Sequence, residues 1–433
     1  MKRYIYIIIG IIVVALIAIG LLFLFRGSSA LSGFLPTSIT DLLPSVGTQG
    51  SNSSGTVGGG SGFGTPTVGV SGSSAGQNGL AQNFNTAVSV PVLNYFVDAQ
   101  GNITAIEPSG EVIAVSGSQS STISSSSIND IVSTNFSHDG KKLLVTFGDP
   151  TNPSAAVLDI TAKTWTALPQ GLQSPQWSPA DSYQIALLDE SGIGTTALDV
   201  IDVTNPKKLG VTTLLSLNAT DLSLRWVSKN QFILSDKPSI QTTGSAWLFN
   251  SQTKSFTPII YEASGLETVW GGSTTTTGLA LLENVSGQTL GLHLIDANGN
   301  DLHDLNFLTL PTKCVFNQET STIITTVASP SSTAASSSSG TPNSATTSTT
   351  FLYCGVPSDS SQLSSAQLPD DYNDGVLFTS DKMIKLNTNT GDLTTLWDGS
   401  AQNIDATDLK IFNNTLYFVN RYDQKLYSLT LPQ

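Results

Sequence analysis

An all-β fold of repeated units follows from three features of this 433-residue chain. From about residue 85 onward, short apolar runs alternate with Gly, Asn, Asp and Ser turns. An aromatic residue heads a polar turn and a following apolar run at a near-constant interval. The two ends of the region carry matching strand-turn-strand segments. An interval of roughly 40–45 residues is that of a four-stranded propeller blade, and matching ends suit a ring that closes on itself. The expected fold is a seven-bladed β-propeller, with six or eight blades also compatible, preceded by one transmembrane helix and a flexible linker.

Residues 1–26 read as a membrane anchor. Met1-Lys2-Arg3 is followed by 22 uncharged residues, Tyr4 to Phe25. As a helix these span about 33 Å, which matches a hydrocarbon core of roughly 30 Å. Lys2 and Arg3 precede the span, Arg26 follows it, and the next cation is Lys141. The positive-inside rule therefore predicts a single-pass protein of the cell membrane, with a cytoplasmic N-terminus and everything else outside. Ser28-Ser29-Ala30 resembles a cleavage site, but Arg26 intervenes and the apolar run is longer than a signal-peptide core. Both readings place the remainder outside the cytoplasm.

Residues 27–84 read as a tether. Its centre, Gly47 to Gly79, is almost all Gly, Ser, Thr, Asn, Val and Pro, too polar to offset its ordering entropy. Such a chain spans roughly 40 Å.

The repeats occupy residues 85–433. Phe136, Trp177, Trp226, Trp270 and Phe316 head successive units, at spacings of 41, 49, 44 and 46 residues. Seven units are counted, with second strands near Tyr95, Leu143, Ile185, Phe232, Leu279, Tyr353 and Tyr417. Tyr95-Phe96-Val97-Asp98 is echoed by Tyr417-Phe418-Val419-Asn420. The chain ends before a fourth strand of the last unit, and a segment near Thr86–Val90 is expected to supply it. Closure of that kind removes an exposed sheet edge. A Ser/Thr-rich insert at about 329–350 and an irregular loop at Ser358–Gly375 lengthen the sixth unit.

Phe136-Ser137-His138-Asp139-Gly140-Lys141-Lys142, with Trp177-Ser178-Pro179-Ala180-Asp181 as a looser copy, resembles the turn of TolB-like (PD40) WD40-like β-propellers, with His138 in place of the usual Pro. The layout of anchor, tether and propeller resembles that of uncharacterised bacterial proteins in which a Lys-Cys-aromatic strand, here Lys313-Cys314-Val315-Phe316, precedes a Tyr-Cys strand, here Tyr353-Cys354. The resemblance covers about residues 85–433. It implies a binding or scaffolding platform and no particular reaction.

Charged residues make up 12% of the chain, against about 25% in ordinary domains, and the net charge is −14. Phosphate-tracking surfaces need clustered Lys and Arg. None is visible, so no nucleic-acid partner is expected. The two cysteines, Cys314 and Cys354, permit one disulfide in an oxidising compartment. The bond is feasible if they lie on adjacent strands about 4.8 Å apart, because a bridge needs Cα atoms within about 7 Å. It would be strained if Thr322–Val327 were the second strand of that unit and Cys354 fell on the third.

The sequence contains no nucleophile elbow and no zinc-protease motif, and it calls for no catalytic residue, metal or cofactor. Whether the protein is an enzyme stays open. The turn Asp296–Asp301 lacks the Gly and Glu of a calcium loop and reads as a solvated hairpin. Trp177, Trp226 and Trp270, one per repeat, read as packing between blades rather than a sugar-stacking surface. The acidic, Gly-terminated run Asp370, Asp371, Asn373 and Asp374 in the loop of the sixth unit is the first candidate for a functional patch. The leading functional expectation is a protein-binding or scaffold module at the cell envelope, with a protein or an envelope glycan as partner. Two alternatives are an envelope hydrolase or lyase with its site in the central channel, and a structural surface protein.

Overall fold

The computed structural model describes residues 84–432, apart from 193, 206, 272–276, 284–289, 326–342 and 401. The expected anchor, the tether up to residue 83 and residues 329–342 of the Ser/Thr-rich insert lie outside the described residues. Among the described residues no helix is long and apolar enough to cross a membrane.

The strands form seven four-stranded antiparallel sheets, each a blade. After β1 (Phe84–Val88), blade 1 holds β2 (Asn94–Val97), β3 (Ile103–Ile106), β4 (Val112–Ser116) and β5 (Gln119–Ser124). Blade 2 holds β6 (Ile131–Phe136), β7 (Lys142–Phe147), β8 (Ser154–Asp159) and β9 (Thr164–Ala167). In blade 3 are β10 (Leu172–Trp177), β11 (Gln184–Gly192), β12 (Thr195–Asp202) and β13 (Gly210–Leu217). Blade 4 follows with β14 (Leu222–Ser228), β15 (Gln231–Asp236), β16 (Thr243–Asn250) and β17 (Ser255–Ser264). Blade 5 is β18 (Glu267–Trp270), β19 (Thr277–Glu283), β20 (Leu290–Asp296) and β21 (Asp301–Asp304). Blade 6 is β22 (Cys314–Thr325), β23 (Asn343–Pro357), β24 (Asp381–Asn387) and β25 (Leu393–Trp397). The last blade is β26 (Ala406–Phe412), β27 (Thr415–Asn420), β28 (Leu426–Thr430) and, as its fourth strand, β1.

Closure by the N-terminal strand is thus as the sequence led us to expect, two residues earlier than placed. Phe84 pairs with Leu429 and Thr86 with Tyr427. Pro91 has no amide hydrogen to give and lies beyond the ladder. Phe84 stacks on Trp397 at 5.0 Å and on Tyr427 at 5.3 Å, so the seam is an aromatic cluster as well as a backbone ladder.

The core lies between blades. Leu144, Ala155 and Val157 of blade 2 pack with Trp177, Ile185 and Leu187 of blade 3. Trp226 packs with Ala186, Leu188 and Leu198 of blade 3, and Trp270 with Val227, Ile233 and Ala246 of blade 4. Each repeat tryptophan is therefore buried against the preceding blade. The indole Nε1 of Trp177 donates across the seam to the Asn135 carbonyl at 2.9 Å. Second strands are covered on both faces, which explains their unbroken apolar runs, such as Leu143–Val145.

The turn that carries the resemblance is closed by its own side chains. Ser137 Oγ donates to Asp139 at 2.8 Å and accepts from the Lys142 amide at 3.0 Å. Burial opposes ionisation of Asp139, but hydrogen bonds from Ser182, Ser137 and the Lys141 amide outweigh it and hold its pKa at about 2. Gly140 has φ +68° and the Phe96 ring against it, where a Cβ would lie 2.1 Å from a ring carbon. Only glycine fits there.

Three expectations need correction. Tyr95 lies on β2, the innermost strand of its blade, not on a second strand; its echo Tyr417 does lie on a second strand. Local sequence specifies a strand, whereas its rank within a blade depends on how the ring closes. Residues 343–350 of the insert belong to β23, paired in register with β22 from Thr325↔Asn343 to Cys314↔Cys354. A ladder needs no apolar side chains, and Thr favours extended backbone. Finally, the irregular loop after β23 carries two short helices, α1 (Ser361–Ser364) and α2 (Asp370–Asn373).

With Thr322–Thr325 part of β22 rather than a second strand, Cys354 faces Cys314 across adjacent strands. The two form a disulfide, with Cα atoms 4.2 Å apart.

Candidate functional site

Blade 6 is lengthened at two connections. β22 and β23 carry their ladder on from Cys314↔Cys354 to Thr325↔Asn343, beyond the length of the other blades' first two strands. The segment Ser358–Ser380, joining β23 to β24, crosses the face where the innermost strands begin. This second segment carries the acidic run, and its contacts reach three other blades. Asp370 accepts the Ile240 amide of blade 4 at 2.6 Å. Asn373 hydrogen-bonds Glu267, the first residue of β18 in blade 5. Tyr372 Oη donates to Asp405, just before β26 of blade 7, at 2.9 Å. The segment is a strap spanning blades 4 to 7.

The four sequence candidates therefore do not converge on one ligand position. Asp370 anchors the strap to blade 4. Asp371 accepts the Gln367 amide at 2.7 Å and closes the loop on itself. Asn373 serves blade 5, while Asp374 is exposed. Among the described residues no group of three or more His, Cys, Asp or Glu is placed to hold a metal ion.

Beneath the strap lies a buried ionic cluster. Lys313 ends a single 3₁₀ turn, Pro311–Lys313, just ahead of the disulfide strand. Its ammonium donates to Thr379 at 2.5 Å and meets Asp405 at 2.5 Å and Asp381 at 2.7 Å. Asp405 also meets Arg421 at 3.3 Å, and Asp381 accepts the Ala406 amide at 2.8 Å. Two cations face two carboxylates, so the cluster is neutral. Burial pushes the Asp381 carboxyl up, against the pull of Lys313. Burial, with Asp405 beside it, raises the Tyr372 phenol well above its ordinary range.

Arg421 connects this base to the surface. Its guanidinium carbon lies 3.9 Å over the Tyr372 ring and 4.6 Å from the Phe378 ring. Its nitrogens donate to the Tyr372 and Leu377 carbonyls at 3.1 and 3.2 Å. Phe378 in turn packs on Tyr422 at 5.5 Å. The stack Tyr372–Arg421–Phe378–Tyr422 is buried at one end and open at the other, where Phe378 is 40% exposed, Tyr422 45% and neighbouring Val376 75%. Sequence reasoning missed Arg421, Phe378 and Tyr422. The available signal was Val376-Leu377-Phe378, an apolar triplet directly after the acidic run in an otherwise polar loop.

The central channel has different chemistry. A cavity of about 390 Å³ is walled by the innermost strands, among them Asn94, Asn135, Gln176, Arg225, Asp408 and Lys410. Lys410 donates to Asn94 Oδ1 and to the Tyr95 carbonyl at 2.7 Å, and to Asp408 at 3.1 Å. His138 reaches the cavity wall; its Nδ1 lies 3.1 Å from Ser182 Oγ. His293 pairs with Asp301 at 2.8 Å on the outer strands of blade 5. Among the described residues that line this cavity, one is a carboxylate, Asp408, and it is paired with Lys410. Asp296 accepts the Asn298 and Asn300 amides at 2.8 and 2.9 Å, which makes its turn a self-contained hairpin.

The fold is a seven-bladed β-propeller whose last blade is completed by the N-terminal strand β1. No protein-family model matches the chain, and no curated protein matches it in sequence. Among solved structures it is similar to the Cps50 (Swd1) β-propeller domain of Myceliophteria thermophila, at 9% identity over 81% of this chain and 100% of that one, TM-score 0.47. It is also similar to a catalytically inactive virginiamycin B lyase from Staphylococcus aureus with quinupristin, at 9% identity over 81% and 98%, TM-score 0.47. A chain of a mitotic checkpoint complex is a third, at 10% identity over 85% and 99%, TM-score 0.46. These likenesses concern the path of the chain and nothing of its chemistry.

Proposed function

We propose that this protein is a binding module, held at the outer side of a membrane by residues 1–26, that engages a protein partner through the strap face of blades 6 and 7. The observation that carries the reading is the exposed end of the Arg421 stack. Val376, Phe378 and Tyr422 present apolar and aromatic surface on a base fixed by buried ion pairs, and aromatic anchors on rigid supports dominate protein interfaces. The N-terminal span and its flanking cations support the membrane placement.

The test is affinity capture from membranes, comparing the full chain, a chain lacking residues 1–26 and the Phe378→Ala/Tyr422→Ala double variant. Partners that survive loss of residues 1–26 and disappear with the double variant are the expected result. A partner set unchanged by the double variant overturns this face as the binding site. Exposed aromatics beside Asp374 also suit sugar stacking, so retention on envelope glycan with loss in the same variant would make the partner a glycan.

A further inference from the structure

We propose that the central channel is a binding site for a small carboxylate, with Arg225 as its principal ligand. The inference is independent of the strap face.

The position of Arg225 follows from strand alternation. On the innermost strand of blade 4, Leu222, Leu224 and Trp226 point into the core shared with blade 3. Side chains alternate along a strand, so Arg225 points the other way. The same step occurs in the two preceding blades, where Asn135 precedes Phe136 and Gln176 precedes Trp177. All three residues reach the wall of the 390 Å³ cavity. In blades 5 and 6 the equivalent places, before Trp270 and Phe316, hold Val269 and Val315, which pack against core side chains. An apolar residue therefore serves the fold at this position. The run Asn, Gln, Arg on consecutive blades answers to something else.

Arg225 has no hydrogen-bond or ion-pair partner among the described residues, nor have the side-chain amides of Asn135 and Gln176. The Arg225 side chain is exposed to solvent where it lines the cavity. Its guanidinium donors are therefore open to a partner that arrives from solvent. The other cation of the cavity, Lys410, already donates three hydrogen bonds. It contributes charge, which Asp408 offsets, and Arg225 leaves the wall one positive charge in excess. In a chain of net charge −14, that excess sits in an otherwise repelling field.

The geometry of the donors selects the ligand. A planar guanidinium matches a carboxylate through two parallel N–H···O bonds, and the flanking amides can donate to its remaining lone pairs. The cavity volume falls at the lower end of the range for small-molecule sites, roughly 300–1,000 Å³.

The experiment is calorimetric titration of the full-length chain with succinate and, at matched ionic strength, with inorganic phosphate. Succinate is expected to saturate with a Kd below about 1 mM, at least about tenfold tighter than phosphate. Arg225→Gln should weaken succinate about tenfold or more at an unchanged unfolding midpoint, and Arg225→Lys should lose less. Should Arg225→Gln fail to fold, Gln176→Leu keeps the charge and should weaken succinate about threefold. No saturable binding by the wild-type chain, equal binding by the variants, or phosphate bound as tightly as succinate overturns the proposal.

Discussion

Lys313 and Asp405, 92 residues apart in the chain, meet at 2.5 Å with neither side chain reached by solvent. One comes from the turn that enters blade 6 and the other from the turn that enters blade 7. Their pairing fixes the seam between those blades and the floor on which the strap rests.

Lys313→Met should therefore be strongly destabilising, because among the described residues it leaves Asp381 without an ion-pair partner and Asp405 with Arg421 alone. Breaking a buried pair from one side costs about 3–5 kcal/mol. Urea unfolding should show a midpoint reduced accordingly. The double variant Lys313→Met/Asp405→Asn should recover part of the loss; strict additivity of the two single changes would show that the pair is not coupled.

Glu267 makes stability depend on pH. Burial, only partly offset by its hydrogen bond with Asn373, pushes its pKa from 4.5 up to about 7, and its Oε2 has no partner. Below about pH 4.5 both folded and unfolded chains hold the proton and the group contributes nothing. Between 4.5 and 7 the unfolded chain releases it while the folded chain keeps it, so stability falls as pH rises. Above 7 the loss is complete, on the order of 3 kcal/mol. Glu267→Gln should flatten this slope and leave the variant more stable than wild type at pH 8. Parallel slopes for the two proteins would contradict the assignment.

The Cys314–Cys354 bridge closes a loop of sequence separation 40. Chain-entropy arguments give about 4 kcal/mol for a loop of that size. Denaturant midpoints with and without reductant should differ by that order, and Cys314→Ser/Cys354→Ser should match the reduced protein and no longer respond to reductant.

Phe84 tests the closure of the ring. Its ring joins Trp397, Phe418 and Tyr427 at the seam, yet it lies on β1, more than 300 residues away in sequence. Phe84→Ala should cost about 2–3 kcal/mol and raise amide exchange in β28 before other strands. Uniform loss of protection across all blades would mean that the seam does not open first.

Much of the fold was legible in the sequence because it rests on short-range pattern. The aromatic interval marked the blades, alternation marked the strands, and the matching ends with a missing fourth strand pointed to β1. The burial of Trp177, Trp226 and Trp270 between blades followed from their place once per repeat. The cysteine pairing could be stated only conditionally, since it hung on which strand was second in blade 6. The candidate site was half legible. The acidic loop drew attention to the segment that forms the strap, and within it Asp370, Asp371 and Asn373 hold the segment in place.

By itself, then, the amino-acid order determined that this chain makes four-stranded units, about how many, and where the ring joins, because strand period and turn chemistry act over a few residues. The tertiary structure alone decided that Tyr95 lies innermost and that residues 343–350 extend a ladder. It also decided that Lys313, Asp381, Asp405 and Arg421 form one neutral cluster, and that Asn135, Gln176 and Arg225 share one bore. Those relationships join residues tens to hundreds of positions apart. They arise only when the closed ring brings neighbouring blades into contact, and no local pattern encodes which side chains then meet.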